Sequence, residues 1–469
     1  MSIEIISNTD NILNAEVKSS NTIHISDALM NTIRKICISH IPTFAIAYDK
    51  YNKTNKMNII KNDSSTNNDF VGNRLALIPI QTELIKMLVQ ISNILNNKFD
   101  KKKLKHKNIK DILQNVEFEI NLVNKTPELL TVTTEHIMPY INGIKLVDLT
   151  SEDIDKIKEH IDLFDIFPIG KQLLEDLNNL EEFKTKLVAL CFNSKIITDK
   201  LYHVLITKLK PNDVFHIKMV VETGIGLTHT KWSSVCPATY NYKKDDKINI
   251  EVLNEMIIDI DKEINLIATD DEKKQLVERY QDIHKFTPIQ IPEDFNEELK
   301  KLVLEKDRKI HGYNIFDSYR DYVGKDTDFG KIYEFMIESN GSLPSERILY
   351  KSLKVLKSKI KTFYNLLKDI EVLPYTNTEL NIVLNNNYIE ITFDNKNEFI
   401  GYLFSSYIYY FDELNSFSDP IEFVGFSKLH PLDDKYMIKI KTLSKLSTIM
   451  SITTNKLLEI INHLIKVLI

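Results

Sequence analysis

Cysteine is scarce in this chain: Cys37, Cys191 and Cys236 are the only three in 469 residues. None belongs to a C-x-x-C pair. That excludes a four-cysteine zinc site, a finger of paired cysteines and histidines, and a multi-bridge disulfide framework. It points to a reducing compartment. Long apolar runs are missing as well. No stretch of about 18 apolar residues occurs, so no helix is expected to span a membrane. The opening MSIEIISNTDNILNAEV has neither the charged nor the apolar region of a signal peptide. Positive charge is not in excess: the net charge is −6. A protein that grips nucleic acid unaided through phosphates is usually basic. Only six of the 60 basic residues are arginine, so each arginine is expected where a planar donor fork matters. Tryptophan occurs once, as Trp232.

What is present is ordinary for a globular protein: 43% hydrophobic and 27% charged residues, which excludes disordered and collagen-like classes. The length allows roughly two to four domains. Residues 1–24 alternate apolar and polar side chains (Ile3, Ile5; Ala15, Val17; Ile23) and read as two short strands. Ser26 caps a helix whose stripe is Leu29, Ile33, Ile36 and Cys37, and Pro42 stops it. Residues 43–48 are strand-like, and 50–68 read as a polar loop. Leu84, Met87, Leu88, Ile91 and Leu95 mark an amphipathic helix. A basic run, KKKLKHK at 101–107, reads as a loop. Strands follow at 116–123 and 129–133, then helices near 153–161 and 171–180. Residues 201–242 are strand-rich, and 250–325 are acidic and helical in tone, an insertion.

Pro344-Ser345 opens a long helix with an apolar stripe at Leu349, Leu353, Leu356, Ile360, Phe363 and Leu367. Pro374 ends it. Strands at 380–384 and 388–393, a helix over 399–410, and strands at 421–429 and 436–442 come next. A final helix carries Leu443, Leu446, Met450, Leu457, Ile461, Leu464 and Leu468. Both halves run strands, short helix, strands, long helix, the pattern of an architectural duplication. Each long helix presents an apolar stripe that must be buried, and packing the two across one another would do so.

Chemical motifs are sparse. His229, Lys231 and Trp232 lie together without a nucleophile beside them, so Trp232 is expected as a packed aromatic. Gly224-x-Gly226 lacks the helix and distal acid of a dinucleotide site and reads as a loop. His430-Pro431 reads as a turn, and Cys37 as a buried, space-filling thiol.

Four motifs in order do carry a resemblance. DALMNTIRK (27–35) with IPTFAI (41–46), DFVGNRLALIPI (69–80), ITKL (206–209) with GIGLTHTKW (224–232), and MIESNGSLP (336–344) resemble the third subunit of eukaryotic RNA polymerase II and its archaeal D and bacterial alpha relatives. The single tryptophan falls on the family's tryptophan. VGFSKLHPL (424–432) resembles the small eleventh subunit's A-Y-x-x-x-H-P. NEFIGYL (397–403) sits where that family has D-H-T-L-G-N-L, with Glu398 and Tyr402 in place of its His and Asn. The resemblance covers about three-fifths of the chain. A covalent fusion of the two resembles the arrangement in large cytoplasmic DNA viruses.

The resemblance implies an α+β fold: two alpha-subunit-like dimerisation modules in one chain, an intramolecular pseudo-heterodimer with an inserted α+β domain. The expected organisation is a third-subunit-like part at 1–80, an inserted domain at 81–200, a second part at 201–250, an acidic helical insertion at 251–325, the long helix in 326–370 and an eleventh-subunit-like domain at 371–469. It implies a non-catalytic assembly platform for a multisubunit DNA-directed RNA polymerase, holding two large catalytic subunits and a small tenth- or twelfth-type subunit. No separate eleventh-type subunit is then needed, and DNA and RNA are met only through the complex. Asn31, Arg34, Lys35, Arg74, Lys231 and Trp232 would face the large subunits. No catalytic, cofactor-binding or metal-ligating residue is expected; Mg²⁺ would sit on other subunits. Relatives often hold zinc or an iron–sulfur cluster in the inserted domain, but 81–200 has only Cys191. A virion and host cytoplasm, or a nucleus, would be its setting. Two rival readings are a stand-alone nucleic-acid-binding protein using 101–107, and a hydrolase using Cys236 or Cys191 with His229.

Overall fold

A computed structural model describes residues 3–9, 11–20, 23–48, 56–96, 116–159, 195–197, 200–281, 283, 286, 288, 290–293, 295–325, 331–368, 370, 374–376, 380–385, 388–394 and 398–468. The basic run 101–107, the expected helix at 171–180, Cys191 and most of the link at 371–377 lie outside them. The described helices are α1 (Asp27–Ser39), α2 (Asn68–Ala76), α3 (Thr82–Leu95), α4 (Ser151–Lys158), α5 (Asp246–Ile267), α6 (Asp270–Arg279), α7 (Glu297–Gly312), α8 (Ser345–Leu367), α9 (Glu398–Glu413) and α10 (Leu446–Val467). With antiparallel sheets between them, the fold is α+β.

The chain divides into two compact units. The first comprises Met1–Ile6, Asn14–Asp27 and Tyr240–Phe335. Its helical part is α5, α6 and α7, each opened by a side-chain cap: Asp245 accepts from Lys247 N and Ile248 N, Thr269 and Glu272 form a capping box, and Asn296 accepts from Leu299 N. Inside it, Arg279 grips Asp307 with two nitrogens (Nη2–Oδ2 2.5 Å, Nε–Oδ1 3.3 Å), and Tyr280 Oη donates to the same carboxylate at 2.7 Å. A buried carboxylate so fully hydrogen-bonded is tolerated where a lone one would not be.

The second unit comprises Ser7–Leu13, Ala28–Thr239 and Met336–Ile469, so the front and rear of the chain share it. In its front part Pro42–Ile46, Val214–Ile225, Val116–Val123, Met138–Ile141 and Ile144–Lys145 hydrogen-bond in that order, and Asn58–Asn62 also pairs with Val214–Ile225. The strand at Asn58–Asn62 corrects the expected 50–68 loop. Its polar side chains lie on an exposed strand (burial falls only on Ile59 and Asn62, and only partly), so apolar periodicity never marked it. The long strand Val214–Ile225 takes in Gly224, which the sequence reading put in a loop. Phe118, Phe215, Ile217, Leu84, Leu88 and Leu75 lie in one core beneath this sheet.

The rear part is a five-stranded antiparallel sheet in the order Tyr375–Thr376, Leu380–Asn385, Tyr388–Asp394, Lys435–Thr442, Ile421–Lys428. Its register places Ile389 opposite Ile440 and Ile391 opposite Ile438. All four are buried, and α9 packs on the two strands 421–428 and 435–442. Gly401 in α9 is there by necessity: a Cβ would stand 2.2 Å from the Phe393 ring.

Helix α8 joins the two parts. Its stripe Leu349, Leu353, Leu356, Ile360, Phe363 and Leu367 is buried throughout, and α8 packs against α10. On α10, Leu446, Met450, Leu457, Ile461 and Leu464 are buried. Each such side chain contributes roughly 1.5–3 kcal/mol on burial. Phe363 enters the rear module, with its ring 5.5 Å from Phe393 and 5.1 Å from Phe404. The two modules therefore share one core within this unit. Two members of the expected stripe are corrected. Leu443 precedes the helix and is 87% exposed. Leu468 follows the last helical residue and is only half-buried. The apolar spacing continues past both ends of the helix, beyond the fully buried residues.

Candidate subunit-docking site

Residues from three distant segments meet around Tyr48. Lys231 lies in a single turn, Thr230–Trp232, whose start is held by His229 Nδ1 accepting from Lys231 N at 3.1 Å. The Lys231 ammonium donates to Tyr48 O at 3.1 Å and pairs with Glu222 Oε1 at 2.9 Å. It also stands 4.3 Å from the centre of the Trp232 ring. Trp232 Nε1 donates to Glu222 O at 3.4 Å, and Thr43 Oγ1 donates to Trp232 O at 2.7 Å. Tyr48 Oη donates to Asp69 Oδ1 at 2.9 Å.

Two glycines make this packing feasible. A Cβ at Gly224 would be 2.3 Å from the Trp232 indole, and one at Gly72 would be 2.5 Å from the Tyr48 ring. Both rings thus lie flat against bare backbone. The side chain of Lys231 is only 3% exposed. Its charge is satisfied inside the unit, which corrects its expected role as a docking residue. Trp232 is partly buried and hydrogen-bonded, a packed aromatic.

Arg74 lies in the last turn of α2, whose cap is Asn67 accepting from Phe70 N at 2.8 Å. The helix is short and only weakly amphipathic, so the sequence reading did not mark it. Arg74 Nη1 donates to Ile206 O at 2.7 Å, and its guanidinium lies 5.2 Å from the Phe70 ring. Phe70 and Leu77 are both more than half exposed, at 56% and 54%. Two large apolar side chains beside a half-buried guanidinium form the kind of mixed patch that partners cover.

On α1, Arg34 sends Nε and Nη2 to Asn31 Oδ1 at 3.2 and 2.8 Å. Lys35 pairs with Glu398 Oε1 at 3.2 Å, both side chains about one-third exposed. Lys35 thereby ties the front module to the first turn of α9. Beside it, His40 packs edge-on to Phe399 at 4.9 Å, and burial, with the nearby Lys359 charge, lowers its pKa to about 4. Sequence reasoning missed Thr43, Tyr48, Glu222 and Asp69; only Asp69 and Thr43 lay in a quoted motif. The fourth motif forms the tight turn before α8, with Gly341 at φ 93° and Asn340 Nδ2 donating to Ser233 O at 2.7 Å.

Nothing in this arrangement is a nucleophile with a base. Cys37 is fully buried, and desolvation pushes its thiol up to about 12. Cys236 is exposed, and His229 is engaged by its own turn and the Trp232 ring. His430 is likewise held in a turn, its Nδ1 accepting from Leu432 N at 3.2 Å.

A family model described as the RNA polymerase Rpb3/Rpb11 dimerisation domain matches residues 22–360. The chain belongs to this family. Its matched span runs from the approach to α1, through the Tyr48 cluster, into α8. Among curated relatives, DNA-directed RNA polymerases IV and V subunit 3B of Arabidopsis thaliana is 22% identical over 71% of this chain and 82% of its own length. DNA-directed RNA polymerase subunit Rpo3 of Methanosphaera stadtmanae is 42% identical, over 13% of this chain and 19% of its own. A conjugation stage-specific protein of Tetrahymena thermophila is 22% identical over 48% and 56%.

Proposed function

We propose that this chain is a non-catalytic assembly subunit of a multisubunit DNA-directed RNA polymerase, with a third-subunit-like and an eleventh-subunit-like module joined in one polypeptide. The observation that carries the reading is the core shared by α8, α9 and α10, in which Phe363 of the front module sits between Phe393 and Phe404 of the rear one. Family membership, and two relatives named as RNA polymerase subunits, support it. The docking face is Asn31, Arg34, Arg74, Phe70 and Leu77, with Trp232 as its internal support. The partners are two large catalytic subunits and a small tenth- or twelfth-type subunit. Nucleotidyl transfer and its Mg²⁺ belong to those large subunits, and this chain carries no cofactor or metal of its own. The setting is a virion and infected-cell cytoplasm, with a nucleus as the alternative. Affinity purification of the tagged full chain from its native source tests this. Both large polymerase subunits should co-purify in equal amounts without a separate eleventh-type subunit. Recovery of the chain with no large polymerase subunit overturns the proposal.

A further inference from the structure

Helices α3 and α8 start side by side, pinned by Thr82 N donating to Ser342 O at 2.9 Å. One turn in, α3 presents Glu83 and Lys86 on one face, and α8 presents Arg347 and Lys351 on one face, by their spacings of three and four. The faces meet where Arg347 Nε lies 3.8 Å from Glu83 Oε1. Three cations thus surround one carboxylate. Glu83 is 6% exposed, and its Oε2 has no hydrogen-bond partner; the buried hydroxyls of Thr82 and Ser342 lack one too. No hydrogen bond or ion pair ends on the Lys86 or Lys351 ammonium among the described residues. Burial first, then repulsion from Lys86 and Arg347, brings the Lys351 pKa down to about 7, with Glu83 opposing; Lys86 is lowered chiefly by burial.

Half-buried like charges cost stability until an opposite charge reaches them. The cluster holds three cations against one carboxylate, and Lys86 and Lys351 are both partly exposed. It lacks the row of exposed cations that a nucleic-acid backbone needs. We propose that this cluster receives an acidic side chain from a partner polypeptide, its carboxylate held by Lys86, Arg347 and Lys351. The inference rests on the assembly reading, since it requires a partner, but adds the chemistry of the contact.

Two measurements test it. The full chain, free and in the purified complex, is treated briefly with N-hydroxysuccinimidyl acetate between pH 6 and 9, and labelling is resolved by mass spectrometry. In the free chain Lys351 should gain reactivity with a midpoint near pH 7, well before exposed lysines. In the complex it should react at least tenfold more slowly at pH 7.5, because a carboxylate neighbour keeps it protonated. Equal labelling in both states overturns the inference. Second, Lys351→Met should leave the free chain at least as resistant to denaturant, yet weaken partner capture at least tenfold, and Lys351→Arg should restore it. Salt-resistant capture by Lys351→Met overturns the acidic contact while leaving the assembly reading standing. Failure of the wild-type chain to capture any large subunit overturns both.

Discussion

Trp232 is the side chain through which the Tyr48 cluster can be read, because it is the single tryptophan. Its indole lies on Gly224, and a methyl group there would overlap it at 2.3 Å. Gly224→Ala should cost about 1–3 kcal/mol, the range for overpacking. It should also shift the intrinsic fluorescence, both checked in one denaturant titration. His40 makes a second prediction, about pH. Its pKa in the folded chain is about 4, below the ordinary 6.5. The unfolded chain therefore binds the extra proton first. This contribution is whole above pH 6.5 and is lost as pH falls through 4. Denaturation midpoints should drop over that window, and His40→Gln should flatten the slope. Three of the six arginines make close hydrogen bonds to oxygens. Arg279 uses its fork on Asp307, Arg34 puts two nitrogens on one amide oxygen, and Arg74 reaches a carbonyl.

At the level of elements, α8 and α10 each bury an apolar stripe. Their stripes were plain in the sequence because a helical period needs only the order of residues. The ends were not: Leu443 was counted into the stripe, although it lies before the helix and faces solvent. Truncating Leu457, which is fully buried on α10, to alanine should destabilise the chain by about 2–5 kcal/mol. Leu443→Ala should be close to neutral, and thermal denaturation of the two variants separates the cases. The Lys35–Glu398 pair is a different matter. Both side chains are about one-third exposed, so a double-mutant cycle should return a coupling of only about 0.2–1 kcal/mol. The His40–Phe399 ring contact at 4.9 Å adds a second link between these segments. The strand Asn58–Asn62 and the helix α2 were hidden for one reason. Neither shows a clean apolar period, and both are held by neighbours distant in sequence.

For the whole molecule, the consequence of joining two modules in one chain is kinetic and entropic. The link near 371–377 fixes the effective concentration of one module at the other, so pairing does not depend on protein concentration. Cutting that link with an engineered protease site should leave the two pieces together on size-exclusion chromatography at micromolar concentration. They should separate only on dilution or in denaturant. Immediate separation after cleavage would show that the α8–α10 core is too weak to be an interface.

The α+β class came from the family resemblance; order of residues alone settled the two long amphipathic helices, the strands flanking them and the absence of paired cysteines. Each of these depends on local periodicity or composition. Tertiary structure alone decided where charge goes. Lys231 looked available in the sequence, but its partner carbonyl on Tyr48 stands 183 residues away, and no local signal encodes that pairing. Glu83, Lys86, Arg347 and Lys351 are unremarkable helix-surface residues until α3 and α8 begin at the same place. Charges act over a few ångströms of space, whatever their separation along the chain, so only the folded arrangement could reveal which of them meet.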